Sequence, residues 1–396
     1  MSPTPALTER MIAGDHEQVV FVADRHSGLR AIIAVHSTAL GPSLGGIRFW
    51  RYAREEDAVT DVLALAQAMT LKAAAAGLHQ GGGKAAVLCD DPSRPRDLPL
   101  LRALGRAIDD LGGRYIAAED VGATPADMAG IARETPWVTG LDTPGGSGDP
   151  SPFTARGVVH AMRAALHALD GAPDLRGRRV NVQGAGHVGA HLVRFLTDAG
   201  VSVGVADIDT ARADALARRC GADVLGAASV IGAPCDVFAP CALGGAIDDA
   251  SVERLRCRVV AGAANNQLTT PSVGEALAAR GILYVPDFVA NAGGIINIAE
   301  EMVGYDARRA EEKVAEIEET TARVLTEAEA ARVTPVEAAE TAARRRIAEE
   351  GAGRRFQPGD AAAWTDGLPL RAVRPPPGVP AAGDAARRAA REGSQT

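Results

Sequence analysis

Lys72 and Lys84 stand twelve positions apart in MTLKAAAAGLHQGGGKAAV, a run with almost no other charge. A lysine among Ala, Leu and Gly has few carboxylates to neutralise it, and partial desolvation lowers an ammonium pKa towards the range of a working base. Lys84 directly follows three glycines, which leave room for close approach to the main chain, and is the first candidate for proton transfer. The plainer alternative is a helix packed by small residues, Lys72 reaching to solvent, and a Gly-rich turn ahead of a strand. Farther on, AEDVG sets Glu119 and Asp120 between an apolar strand and Gly122. That is where α/β proteins hold ligand-facing groups, although either carboxylate can instead cap the next helix. Amides recur at strand ends: Asn265 and Asn266 in GAANNQL, and Asn291 ahead of Gly293 and Gly294. They can orient a carboxamide or carboxylate, or simply satisfy loop backbone.

A second kind of chemistry is written in residues 179–207, RVNVQGAGHVGAHLVRFLTDAGVSVGVAD. A short apolar strand runs into Gly184, Gly186 and Gly189 in GxGxxG spacing, an amphipathic helix follows, and the next strand ends at Asp207, 18 residues after Gly189. Strand, glycine turn, helix, strand and carboxylate in this order form the fingerprint of a dinucleotide site. Gly184 makes the turn, Gly186 admits the pyrophosphate to the backbone, and Gly189 lets helix and strand pack. His187 and Val188 open the helix, whose N-terminus faces the anion, with His187 placed to meet it. The Asp207 carboxylate accepts from ribose hydroxyls and repels a 2′-phosphate, which favours NAD over NADP.

The elements that must position these groups follow from periodicity. Residues 18–22 and 29–36 are strand-like and joined by a turn, residues 57–76 and 98–111 have helical spacing, and residues 85–89 and 115–118 are short buried strands. TPGGSGDPSP at residues 143–152 breaks every period and marks a hinge. Beyond it a helix, the glycine-motif unit, further strand and helix alternation (including a strand at 258–261) and a helical segment from 305 to 350 are expected. The division is residues 1–145 for substrate binding and catalysis, 146–335 for the nucleotide, 336–356 as a helix returning to the first domain, and 357–396 as a disordered tail rich in Pro, Ala and Gly. The fold class is α/β, with two domains about a cleft. A net charge of -8 argues against nucleic acid as a partner, and five cysteines without a CxxC pair suggest reduced thiols in a cytoplasm. No metal site is expected. The Ala-rich runs are too short and interrupted to span a bilayer, so no membrane association is expected either.

Taken in order, LGPSLGGIR, MTLKAAAAGL, GGGK, AEDVG, GDPSPFTARG, QGAGHVG, GAANNQL and PDFVANAGG resemble the leucine, valine and phenylalanine dehydrogenases, relatives of glutamate dehydrogenase, over about residues 18 to 350. The resemblance implies a homo-oligomer that converts an L-amino acid, NAD and water to a 2-oxo acid, ammonium and NADH. It implies that Lys84 activates the attacking water, that Asp120 exchanges protons with the substrate nitrogen, and that Lys72 binds the substrate carboxylate with help from Asn291. Gly45 and Gly46 would border the site, and Thr154, Asn265 and Asn266 would join the glycine motif in holding NAD. Leu44, Ala118, Ile295 and Ile298 would line the side-chain pocket, all apolar, so branched-chain substrates are expected. Phenylalanine dehydrogenase and a non-catalytic NAD-binding sensor stay open as alternatives. His79 and Gln80 depart from the family pattern, in which Asn or Asp and then Leu are frequent.

Overall fold

The computed structural model describes residues 5–354 and 356, so the tail expected to be disordered lies outside the described residues. After a short helix, α1 (Leu7–Ala13), the first lobe is built on five strands: β1 (Gln18–Asp24), β2 (Leu29–Ser37), β3 (Ser43–Trp50), β4 (Gly81–Leu88) and β5 (Tyr115–Glu119). Their order is β1-β2-β4-β3-β5. β1 pairs with β2, and β2 with β4, in antiparallel fashion, while β3 runs parallel to both β4 and β5.

β2 is apolar and buried from Ala31 to Val35 because both of its faces are covered there. Ile32 and Ala34 pack with Ala58, Val59, Val62, Leu63 and Ala66 of α2 (Glu55–Ala75). Ile33 and Val35 share the opposite core with Leu101, Leu104 and Ile108 of α3 (Leu98–Asp109) and Met128 and Ile131 of α4 (Pro125–Ile131). By length and composition α2 could cross a membrane. Here its apolar residues serve the sheet instead.

Two sequence expectations need correction. The glycines 81–83 are not a turn but the first three residues of β4, four positions ahead of the strand start expected at 85. β3 was not foreseen at all. Both errors have one cause: strand propensity is low for Gly, but a strand squeezed between close neighbours needs residues without side chains. A Cβ on Gly81 would lie 1.8 Å from the Ser37 carbonyl oxygen, and one on Gly82 would lie 2.1 Å from the Thr70 nitrogen.

The second lobe begins with α5 (Ser151–Asp170). It continues through β6 (Arg179–Gln183), α6 (His187–Asp198), β7 (Ser202–Ala206), α7 (Thr210–Cys220), β8 (Asp223–Val224), β9 (Val237–Pro240), α8 (Asp249–Arg254), β10 (Val259–Val260), α9 (Pro271–Ala279) and β11 (Leu283–Tyr284). The sheet order is β11-β10-β9-β6-β7-β8, every pair parallel. Numbered from the first strand of this lobe, that is 3-2-1-4-5-6, the doubly wound order that places a ligand crevice where the order reverses, between the carboxyl ends of β6 and β9. β10 is two residues long, shorter than the strand expected at 258–261.

The chain then crosses back. α10 (Asp287–Ala290) and α11 (Gly293–Ala299) flank the cleft, α12 (Ala307–Ala315) and α13 (Ile317–Ala331) follow, and α14 (Pro335–Glu350) reaches the first lobe. There Ala343 packs with Leu40 and Ala74, and Arg346 Nη1 donates to the Ala74 carbonyl at 3.0 Å. The Phe356 amide donates to Thr38 Oγ1 at 3.0 Å.

Candidate active site

Lys84 sits in the middle of the first sheet, 4% exposed, on the strand that the glycines allow to lie so close to its neighbours. Its Nζ donates to Asp120 Oδ2 at 2.9 Å. Burial pushes the Lys84 ammonium below its ordinary value, and the attraction of Asp120 only partly offsets that. Burial alone would raise the Asp120 carboxyl, but the Lys84 and Arg48 cations outweigh it and hold the group below the usual carboxylate range. Asp120 does not cap a helix. The Thr124 and Asp127 side chains form that capping box, leaving Asp120 in the cleft.

Gly46 borders the pair: a Cβ there would lie 2.5 Å from Asp120 Cβ and 3.3 Å from Lys84 Nζ. Gly45 is pressed against β4, where a Cβ would meet the Gly83 carbonyl oxygen at 1.7 Å. Its own carbonyl accepts from the buried Tyr115 hydroxyl at 2.8 Å.

Lys72, near the end of α2, retains some contact with water, yet the protein around it pushes its ammonium down to about 8, the Asp287 carboxylate opposing and the Lys84 charge assisting. Its Nζ donates across the cleft to Asn265 Oδ1 at 3.3 Å. That oxygen also accepts from Asn291 Nδ2 at 2.9 Å. Asn265, expected with the nucleotide, is thus brought to Lys72. Asn291 Nδ2 is committed to Asn265 and to the carbonyls of Ala263 and Ala264, at 3.1 Å and 3.4 Å, so Asn291 reaches Lys72 through Asn265. Asn266 is exposed, with a left-handed backbone at φ 51°.

Leu44, Ala118 and Ile295 belong to one apolar cluster drawn from both lobes, and Ile298 packs against it. Thr154 lies beside α11, where its hydroxyl would meet a Cβ on Gly294 at 2.6 Å, and it donates to the Pro150 carbonyl at 3.1 Å. His79 and Gln80 line a separate small pocket with Glu300 and Lys313.

The glycine turn is built on what its missing side chains allow. Gly184 has φ +110°, where L side chains rarely go, and a Cβ there would run into Cys241 at the end of β9. A Cβ on Gly189 would lie 2.0 Å from the Gly184 carbonyl oxygen, but one on Gly186, the N-cap of α6, meets nothing within 4 Å. His187 is exposed on the first turn and Val188 half-buried behind it. Asp207 Oδ2 accepts from the Ala185 amide at 2.7 Å and Oδ1 from the Asp209 amide at 2.8 Å. Burial would raise this carboxyl, but those amides outweigh it and hold Asp207 ionised. Arg212 is paired with Asp209 at 3.5 Å.

Residues 16–137 match the model of the Glu/Leu/Phe/Val dehydrogenase dimerisation domain, and residues 145–216 and 211–354 match that of the glutamate, leucine, phenylalanine and valine dehydrogenases. The chain belongs to this family. It is 49% identical to a leucine dehydrogenase of Thermoactinomyces intermedius over 301 residues, 76% of this chain and 82% of that one. With a valine dehydrogenase of Streptomyces virginiae the identity is 47% over 353 residues, 85% and 95% of the two chains. Among solved structures, L-tryptophan dehydrogenase from Nostoc punctiforme superposes with a TM-score of 0.77 at 39% identity, covering 87% of this chain and 99% of that one.

Some residues of this family member's site were not singled out from the sequence. Arg48 lies beside Asp120 and carries Asp61 and Tyr52 behind it. The signal was in LGPSLGGIR: once residues 43–50 are a strand, period two puts Leu44, Gly46 and Arg48 on one face. Glu301 is the other. It is 6% exposed and accepts from the Gly140 amide at 2.7 Å and the Ser147 amide at 2.8 Å, fastening the segment read as a hinge. Sequence offered no signal for that contact.

Proposed function

We propose that the chain catalyses the reversible oxidative deamination of leucine, isoleucine and valine with NAD as the nucleotide. The observation that supports this is the pairing of Lys84 with Asp120 at 2.9 Å, close enough to Lys72 for the three charges to act on one another, beside Gly46 and its register partner Ala118, with Leu44 and Ile295 in the same apolar cluster as Ala118. The family relatives named above as leucine and valine dehydrogenases support the same reading. Overall, amino acid, NAD and water give 2-oxo acid, ammonium, NADH and a proton.

Lys72 binds the substrate carboxylate, held in place by Asn265, which Asn291 fixes in turn. Asp120 takes a proton from the substrate ammonium, which exposes the nitrogen lone pair needed to form the imine. NAD, when bound, supplies the acceptor for the hydride from Cα. Lys84, its proton loosened by burial, draws a proton from the water that attacks the imine carbon. Asp120 then returns its proton to the nitrogen, and as the C–N bond breaks the new hydroxyl on that carbon gives up its proton to the departing ammonia, so that the C–O bond becomes the carbonyl of the 2-oxo acid and the nitrogen leaves as ammonium. A substrate side chain with a charge would be desolvated among Leu44, Ala118, Ile295 and Ile298 without a partner, which disfavours glutamate and lysine.

Gly184, Gly186, Gly189, the α6 N-terminus with His187 and Val188, and Asp207 would hold the nucleotide, and the open space at Gly186 fits a pyrophosphate. Asp207 sets the preference for NAD. Thr154 and Asn266 remain assigned to the nucleotide. The two-domain division at about residue 145 is part of this reading, as are a cytoplasmic location and assembly as a homo-oligomer through the lobe that matches a dimerisation domain.

The test follows NADH absorbance at alkaline pH with a panel of L-amino acids. Leucine, isoleucine and valine should lead, separated by modest factors because one methylene in an apolar pocket is worth only about 1 to 3 kcal/mol. A tenfold higher kcat/KM for phenylalanine would refute the pocket reading. Faster turnover with NADP would refute the role of Asp207.

A further inference from the structure

The Asp120 carboxylate is shared between two cations, and only one of them has a part in the reaction described above. Arg48 Nε donates to Asp120 Oδ2 at 2.9 Å, the same oxygen that Lys84 reaches at 2.9 Å. Arg48 Nη1 donates to Asp61 Oδ1 at 3.2 Å and Oδ2 at 2.9 Å, and the Tyr52 hydroxyl donates to Asp61 Oδ2 at 2.6 Å. The chain of contacts therefore runs from α2 through β3 to the acid that faces substrate, and Asp120 Oδ1 makes no hydrogen bond among the described residues. A guanidinium keeps its proton at every working pH and its donors are fixed in a plane, so it can bridge two carboxylates without exchanging protons with either.

We infer that Arg48 is a positioning residue for the deamination: it pins Asp120 Oδ2, leaves Oδ1 free for the substrate nitrogen, and takes a share of the Asp120 charge so that Lys84 can release its proton. With Arg48 absent, Asp120 would have Lys84 alone as its cation, and a one-to-one pair holds the lysine proton more tightly. The charged and titratable groups around Lys84 are Asp120 after β5, Arg48 on β3, Asp61 and Lys72 on α2 and, from the second lobe, Asp287 beside Lys72. Tyr52 stays protonated, because burial and then Asp61 push its hydroxyl up. Among these groups Arg48 and Lys72 favour proton loss from Lys84 by their charge, whereas Asp120 and Asp61 oppose it.

The signs of the two removable neighbours are opposite, and that makes the test. In Arg48→Gln, the alkaline-rising limb of the kcat/KM profile for leucine should move up by about one pH unit, the lower end of what a neighbouring charge does. In Asp61→Asn the limb should move down. Arg48→Lys should restore the position of the limb but not the full kcat, since a single ammonium cannot bridge both carboxylates. An Arg48→Gln profile superimposed on that of the wild type, or an Asp61→Asn limb that stays or rises, would overturn the inference. Asp61→Asn carries the test by itself if Arg48→Gln does not fold. The inference rests on Lys84 and Asp120 as the reacting groups, and Lys84→Ala separates the two. Wild-type turnover in that variant would sink the parent reading, whereas its inactivity together with unmoved limbs in the other variants would sink this inference alone.

Discussion

The two glycine-rich segments, GGGK at the start of β4 and GAGHVG from the end of β6 into the first turn of α6, use the same residue for opposite purposes. In the first, the glycines make room for protein: each missing Cβ is matched by an atom of the chain, such as the Ser37 carbonyl oxygen or the Thr70 amide nitrogen. In the second, Gly184 and Gly189 serve the turn and the packing of helix on strand, but Gly186 leaves room that no protein atom fills. The first segment carries a charged side chain into a sheet. The second presents bare backbone to a crevice. Counting glycines does not tell these apart, and only the neighbours reveal whether an absent side chain serves packing or a ligand.

The comparison breaks most visibly if the charge that the first segment carries has no chemical role. Lys84→Ala and Asp120→Asn should each lower turnover by about 10² to 10⁴, the range for lost proton transfer, while the nucleotide still binds. Rapid-mixing kinetics with leucine, paired with a nucleotide titration, checks both halves. Normal turnover in Lys84→Ala would reduce the triple glycine to a packing device.

How much of this was legible in sequence follows the same division. The second segment was readable because its signal is local: the turn, the helix and Asp207 are contiguous, and each demands a residue type at a fixed place. Lys84 and Asp120 could be picked out from their surroundings and from family resemblance, and the structure brings them within 2.9 Å. β3 and the first half of β4 were missed because Gly lowers strand propensity while long-range packing demands it. The contact of Asn265 with Lys72 joins residues 193 positions apart, and Glu301 reaches Ser147 over 154, distances at which no periodicity speaks. Arg48 fell between these cases, its face fixed by alternation as soon as its strand is granted.

A pair of substitutions sharpens the contrast directly. Gly82→Ala puts a methyl 2.1 Å from the Thr70 nitrogen, which belongs to helix backbone and cannot swing aside. It should cost about 1 to 3 kcal/mol or more, the usual range for overpacking, and disturb Lys84 as well. Gly186→Ala adds the same methyl in open space at an ordinary φ of -71°, so stability should stay within about 0.5 kcal/mol of the parent. Its effect should fall on the KM for NAD. Urea unfolding of both variants beside nucleotide titration decides the matter, and a Gly186→Ala chain with unchanged NAD affinity would remove the pyrophosphate from that space.

The smallest expected effect concerns what the first segment's surroundings cost the fold. Lys72 is held at about 8 by burial, below the value of about 10.4 that a lysine has in an unfolded chain. Between those two pH values the unfolded chain binds more protons than the folded one, so the contribution of Lys72 to stability rises with pH across that window. Below about pH 8 the ammonium is charged in both states and its full desolvation cost is present. Lys72→Met removes the titrating group. The variant should be more stable than the parent at pH 7, and its advantage should shrink as pH climbs towards 10. Lys84 is displaced in the same direction and adds its own rise in both chains; losing the Lys72 charge raises Lys84 and weakens that rise, which acts in the same sense, so the difference between the stability curves reports Lys72 together with its coupling to Lys84. The same variant should have a raised KM for leucine, since the carboxylate loses its cation. A stability difference that is flat from pH 7 to pH 10 would mean that Lys72 carries no desolvation cost, and that its closeness to Lys84 has no energetic consequence for the fold.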